Sequence, residues 1–299
     1  AIEKAFQREP ESKAVLLVSP TYYGITSDLE RIAKICRRHN ALLLVDEAHG
    51  SHLYFSDRLP KGALASGADA VAQSFHKTAG SFTQSSLLHL GTGRMDAGRV
   101  AENLHLVQST SPSYLLMASL DAARRELALH GEAMMEKALH LAALAREGLR
   151  TIPGVRVLDD EKKGIPAMFG KDETRLVFSA WDAGIPGYRL GTLLYENFRV
   201  SPELTDEENV VAVITFANEP EDIRRLVQAG KALVEQERTR KYLPEVHADE
   251  RLRETGHSSG DGQYSVKNSE NIAREFQVFT LPEQAATPRE AYFARDWEI

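Results

Sequence analysis

Ala41-Leu42-Leu43-Leu44-Val45-Asp46-Glu47-Ala48-His49-Gly50 is a short apolar run that ends abruptly in two carboxylates. A run that short, with polar flanks, reads as a buried strand rather than a helix. Upstream, residues 14–19 (AVLLVS) form a second such run, expected to be buried and broken by Pro20-Thr21-Tyr22-Tyr23-Gly24. Between the two, Leu29, Ile32, Ala33 and Cys36 recur at helical spacing. Ser27 and Glu30 are the expected capping box of that helix, and Asn40 its left-handed stop. Downstream, a third short strand is expected near residues 69–74, after Gly67. Strands joined by a helix over so few residues pair in parallel through a right-handed crossover. The expectation is an open α/β sheet, whose ligands bind beyond the carboxyl ends of its strands. Asp46 and the segment Ser74-Phe75-His76-Lys77-Thr78 both fall at that edge.

The 299 residues allow one large domain, or a large and a small one. With 42% hydrophobic and 26% charged residues, the composition is that of a soluble globular protein. The net charge of −7 argues against non-specific binding to nucleic acid or to an anionic membrane surface. No apolar run approaches the ~20 residues of a membrane span. Cys36 is the sole cysteine, which excludes a disulfide framework. A cytoplasmic protein with no nucleic-acid or membrane partner is expected. The sequence enters strand-helix alternation almost at once after Ala1 and stops at Trp297-Glu298-Ile299, so a piece of a longer protein is expected.

A helical pattern runs from Tyr114 to about Arg150, with Gly131 as the expected break and Pro153-Gly154 as its end. Short strands are expected at 154–159, 174–180, 199–204 and 209–217, with a helix starting near Gly187. Pro220-Glu221-Asp222 opens a last amphipathic helix. This organisation predicts a large domain ending near 150, a smaller α+β domain over 151–240, and a polar linker with the start of a further segment over 241–299. His257 to Gly262 is expected to be a loop.

A lysine after a strand is by default a solvated surface group. Around Lys77, however, Ser74 and His76 offer hydrogen bonds that could reach a phosphate, and Thr78-Ala79-Gly80-Ser81 lets a ligand approach the backbone. A lysine that attacks a carbonyl must do so as the free amine, a form promoted by a partly buried, cation-rich pocket. Asp46 alone is an ordinary strand-end carboxylate. Paired with Lys77 it suits pyridoxal phosphate, an electron sink whose ring nitrogen must be protonated. His49 fits a cofactor ring edge or a plain loop equally well. His49 and His52 with Asp46 and Glu47 invite a metal, but their spacing on a strand exit fixes no coordination shell. Asp46-Glu47-Ala48-His49 also spells the acidic box of a helicase class, which requires a G-x-x-x-x-G-K-[ST] loop absent from this sequence. Gln108 to Tyr114 is a hydroxyl-rich turn that would cap a helix. Its functional reading is a phosphate contact by Ser109 or Thr110, across a dimer interface.

Four ordered segments then carry a family resemblance: Ser19 to Gly24, Leu44 to Gly50, Gln73 to Thr78, and Thr110 to Asp121. They closely resemble the Orn/Lys/Arg decarboxylases, pyridoxal-phosphate enzymes of the aspartate aminotransferase fold. The similarity is dense over residues 14–130. It continues more loosely through Thr174-Arg175-Leu176, Gly184 to Tyr188 and Asn209 to Leu226, and again at Pro288 to Ala294. The resemblance implies a mostly parallel α/β sheet of the pyridoxal-phosphate-dependent aspartate aminotransferase type, incomplete in this chain, followed by a smaller α+β domain. It implies Lys77 as the lysine that bonds the cofactor aldehyde and Asp46 as the partner of the ring nitrogen. Ser74 and His76 would contact the phosphate or its surroundings, and Ala48 and His49 would lie against the ring. Ser109 would reach the phosphate of a partner subunit in a homodimer or larger homo-oligomer. The implied activity is decarboxylation of a basic amino acid, arginine in preference to lysine or ornithine, as a step of polyamine metabolism. Lys77 or His76 would return the proton. An aminotransferase or aldolase of the same fold, and a non-catalytic subunit, are the alternatives. The family's upstream phosphate-binding turn and ring-stacking histidine are not among these residues, so part of the pocket is expected outside this sequence.

Overall fold

A computed structural model describes residues 1–158 and 168–242, which all belong to the first of two units of the chain, Ala1–Pro244. The expected loop at 257–262 and the family-like segment at 288–294 lie outside the described residues. Helix α1 (Ile2–Arg8) leads into β1 (Ala14–Val18), β2 (Ile25–Thr26), α2 (Leu29–Arg38) and β3 (Leu42–Asp46). Next come β4 (Ala70–Gln73), the single turn α3 (Phe75–Thr78), β5 (Leu87–Leu90), α4 (Ala97–Val107) and the long α5 (Tyr114–Arg150). Then follow β6 (Arg156–Val157), β7 (Gly170–Lys171), β8 (Arg175–Ser179), α6 (Gly187–Phe198), β9 (Leu204–Thr205), β10 (Val210–Val213) and α7 (Pro220–Tyr242).

The first sheet has the order β1-β3-β4-β5. Its first three strands are parallel, as the strand-helix alternation predicts, and β5 adds antiparallel to β4. In register, Asp46 stands between Val18 of β1 and Ala72 of β4, so the parallel strands finish at one edge. The second sheet, β6-β8-β10-β9, is antiparallel. A small pair, β2 with β7, ties the loop after β1 to the approach to β8.

Phe6, Leu29, Ala33, Cys36, Leu43, Val45 and Val71 form the core under the first sheet. A larger core joins α5 residues Leu141 to Leu149 with Leu176, Phe178, Leu190, Leu194, Val210 and Leu226 of the second sheet and its helices. Each buried Leu, Val or Phe contributes roughly 1.5–3 kcal/mol relative to exposure. Earlier along α5, Ala123 and Leu127 pack on Phe75 and Ala79, which flank the Lys77 turn.

Four local expectations change, the first being the strand expected at 199–204, which shrinks to β9 at Leu204–Thr205. Strand β1 is an outer strand of its sheet, and Leu16 and Val18 on one of its faces are 71% and 53% exposed rather than buried. The cap of α2 is Asp28, whose side chain accepts from Arg31 N–H at 3.1 Å, instead of a Ser27–Glu30 box. Helix α5 runs through Gly131 unbroken, because glycine there makes room for the ring of Phe55: a Cβ would sit 2.6 Å from Phe55 Cδ1. Asn40 does take the left-handed conformation after α2, at φ 51°. No helix among the described residues is long and apolar enough to cross a membrane.

Candidate active site

The site grows from the carboxyl edge of the first sheet. Buried Phe75 and Thr78 hold α3 down, with Thr78 Oγ1 2.6 Å from Ser51 Oγ, and Lys77 is left facing outward and exposed. Its Nζ lies 3.1 Å from Nε2 of His49, which is only 3% exposed. Tyr22, from the loop after β1, covers both: its ring centroid is 4.2 Å from that of His49 and 5.6 Å from Lys77 Nζ. Burial, then the nearby Arg175 and Lys77 cations, press the His49 imidazole down to a pKa of about 4, so it is neutral at physiological pH.

On its other side, Nη2 of Arg175 donates to His49 Nδ1 at 3.1 Å. Arg175 opens β8, so this contact bridges the two sheets. Its Nε is 3.6 Å from Asp172, which is fully buried. The Asp172 carboxylate accepts from Thr174 N–H at 2.9 Å and from the Thr174 hydroxyl at 2.7 Å, and pairs with His52 Nε2 at 2.9 Å. Burial alone would raise its pKa, but His52, Arg175 and the Thr174 hydroxyl outweigh it and hold the carboxyl far below the usual range. His52 is thus a partner of this network. Nothing in the sequence singles out Asp172, and Arg175 enters it only within the looser family resemblance. The one local sign is the charged run Lys171-Asp172-Glu173-Thr174-Arg175 opening a buried strand, which does not say which charges turn inward.

Asp46 is half-buried at the end of β3. Its Oδ1 accepts from Ala48 N–H at 3.0 Å, and among the described residues its Oδ2 receives no hydrogen bond. That leaves a carboxylate oxygen available to a ligand N–H beside Ala48. Glu47 points the other way and is fully buried. It accepts from Tyr54 O–H, Ala63 N–H and Gln73 Nε2, each at 2.7 Å, so both oxygens are occupied in fastening the strand ends. Burial raises its pKa against those three bonds. A nucleotide-handling acidic box needs that carboxylate free, and here it is structural.

His76 Nδ1 is 2.8 Å from the Ser85 carbonyl, which can only accept, so Nδ1 carries a proton. Nε2 is the ring nitrogen left for other work. Ser74 precedes α3 with no side-chain cap bond, and its hydroxyl is half-buried on the same turn. The chain therefore brings Asp46, Ala48, His49, Ser74, His76 and Lys77 to one sheet edge. Ser109 is exposed in the turn before α5, where its Oγ accepts from Ser111 N–H at 3.1 Å, and among the described residues it forms no hydrogen bond with that group.

A mostly parallel sheet with these polar groups at its carboxyl edge, joined to a second antiparallel sheet, defines a protein of the aminotransferase-type α/β fold. The solved alanine–glyoxylate aminotransferase of Nostoc sp. matches 78% of this chain and 64% of its own at a TM-score of 0.62 and 18% identity. The lysine decarboxylase of Francisella novicida matches 78% of this chain and 38% of its own at a TM-score of 0.65 and 17% identity. Within that fold the chain belongs to the Orn/Lys/Arg decarboxylase family, whose major-domain model matches residues 1–168. It is 38% identical over 235 residues to the arginine decarboxylase of Halalkalibacterium halodurans, covering 79% of this chain and 48% of that protein. The chain spans about half the length of the arginine decarboxylases it matches.

Proposed function

We propose that this chain carries the pyridoxal-phosphate site of a decarboxylase acting on a basic amino acid, arginine in preference to lysine or ornithine. The observation that carries the reading is the Lys77 amine set 3.1 Å from a buried neutral histidine at the sheet edge where Asp46 also ends its strand. Membership of the Orn/Lys/Arg decarboxylase family and the likeness to arginine decarboxylases support it.

The residues present fit the cofactor. Lys77 supplies the amine for its aldehyde. Asp46 has an unengaged oxygen for a protonated ring nitrogen, half-buried where the pair would be screened little by water. Ala48 is small enough to admit a flat ring, and Ser74 offers a hydroxyl toward a phosphate. When bound, pyridoxal phosphate supplies the electron sink into which the electrons of the departing carboxylate flow. The chain's own part is to place Lys77 Nζ, or His76 Nε2, where it can hold a proton for return to the substrate α-carbon. Ser109 completes the site of a second subunit in this reading, so the active form is a homodimer or larger assembly. Residues 1–150 belong to its large domain and 151–240 to its small one, and the protein is cytoplasmic.

Two measurements test this. Borohydride reduction with pyridoxal phosphate, followed by peptide mapping, is expected to place the label on Lys77; a label on another lysine overturns the site. Carboxyl-labelled arginine is expected to release labelled carbon dioxide faster than labelled lysine or ornithine. Amino-group transfer to an oxoacid without carbon dioxide release would make the protein an aminotransferase instead.

A further inference from the structure

We infer that Arg175, anchored by Asp172, fixes His49 in the tautomer whose proton sits on Nε2 and faces Lys77, which makes Arg175 a positioning residue for that lysine. The reasoning is hydrogen-bond accounting. An arginine guanidinium donates and never accepts. With Arg175 Nη2 3.1 Å from His49 Nδ1, that ring nitrogen must present its lone pair. An imidazole keeps at least one proton, so Nε2 carries it. Nε2 is the atom 3.1 Å from Lys77 Nζ, and an Nε2–H can bond that nitrogen only where the lysine offers a lone pair. The free amine, not the ammonium, is the form that attacks an aldehyde.

Arg175 is itself over-determined. It is 1% exposed, its Nε faces the Asp172 carboxylate at 3.6 Å, and Nη2 also lies 3.5 Å from the His49 carbonyl. Asp172 is held in turn by Thr174 and His52, and its N–H donates to Gly24 O at 2.7 Å. Gly24, at φ +80°, lets the loop before β2 close over the arginine: a Cβ there would meet Arg175 Cβ and Cγ at 2.7 Å. In the opposite tautomer an Nδ1–H would point at a guanidinium that is 1% exposed and has nowhere to turn, whereas the exposed Lys77 can swing an ammonium away from an Nε2–H into water. Burial first, then the Arg175 charge, lowers the basicity of His49, which leaves a neutral ring between the two sheets.

The inference takes its meaning for chemistry from the reading of Lys77 as the cofactor lysine, but its test does not depend on that reading. Long-range nitrogen–proton correlation spectra are recorded on the cofactor-free 299-residue chain with isotopically labelled histidine rings. His49 is assigned by the resonance lost in His49→Gln. At neutral pH the expected result is a neutral His49 with its proton on Nε2. Arg175→Lys, also a pure donor, is expected to keep that tautomer, and Arg175→Met to shift the population toward Nδ1–H. An imidazolium or an Nδ1–H form in the unmodified chain overturns the inference, as does an unchanged tautomer in a folded Arg175→Met. Should Arg175→Met not fold, the unmodified chain and Arg175→Lys decide it. Failure of the cofactor assignment is read separately, as a borohydride label away from Lys77, and leaves the His49 spectrum unaltered.

Discussion

At the scale of single residues, the chain buries two ionisable groups from the same strand exit for different ends. His49 is held neutral, with its pKa pressed from an ordinary 6.5 to about 4 by burial and by neighbouring cations. An unfolded chain therefore takes up a proton on acidification before the folded one does. The resulting contribution to stability is complete above about pH 6.5 and is lost as the pH falls toward about 4. Urea titrations across that window are expected to show a steeper acid loss for the parent chain than for His49→Gln, and equal slopes would refute the assignment. The comparison must be by difference, because Glu47, whose pKa is raised, acts with the opposite sign and loses its contribution as the pH rises. Glu47 also serves three donors with two oxygens. Glu47→Ala strands Tyr54, Gln73 and the Ala63 N–H in a dry interior, at a cost of about 3 kcal/mol or more. Glu47→Gln, which keeps one acceptor, is expected to cost less; near-equal urea midpoints for parent and Glu47→Ala would show that the three bonds do not matter.

At the scale of elements, legibility follows the range of the interaction. Strands β3 and β4 and helix α2 are readable because their periodicity and breakers are local: Leu43 and Val45 alternate inward, and Asn40 marks the stop. Helices α6 and α7 begin at Gly187 and Pro220, where a helix start and a proline at N1 were expected. That Asp46 to His49 and Ser74 to Lys77 reach one sheet edge is legible for the same reason. Arg175 is 126 positions from His49, and no local pattern encodes which member of a charged run crosses to meet it. Gly131 fails in the other direction. Locally it is a helix breaker; in the fold it is a notch for Phe55. Gly131→Ala ought to stabilise an isolated helix by roughly 1 kcal/mol. Here the added methyl meets the Phe55 ring at 2.6 Å, so the expected outcome is net destabilisation, and Gly131→Val should lose about 1–3 kcal/mol through overpacking. Thermal melts in which Gly131→Ala is more stable than the parent would show that Phe55 yields freely.

At the scale of the whole described structure, two cores of different make-up must hold one site together. The first sheet supplies Lys77 and His49, the second supplies Arg175, and α5 packs against both sides from Ala123 to Leu149. Apolar contact along α5 sets the distance between sheets but cannot fix a hydrogen bond; the Asp172 cluster does that, with His52 from beyond β3 and Thr174 and Arg175 from β8 and its approach. A buried pair of this kind contributes little net stability compared with apolar packing, yet removing one member is costly because the other is left charged and dry. Asp172→Ala leaves Arg175, His52 and Thr174 without their common acceptor, and a loss of about 3–5 kcal/mol is expected. Arg175→Met leaves Asp172 with the His52 and Thr174 bonds intact, so its loss should be smaller. Urea midpoints in the order parent, Arg175→Met, Asp172→Ala would show that the carboxylate anchors the joint between the sheets and the arginine carries its effect to His49. The reverse order would mean that the arginine supports the joint and the carboxylate merely accompanies it.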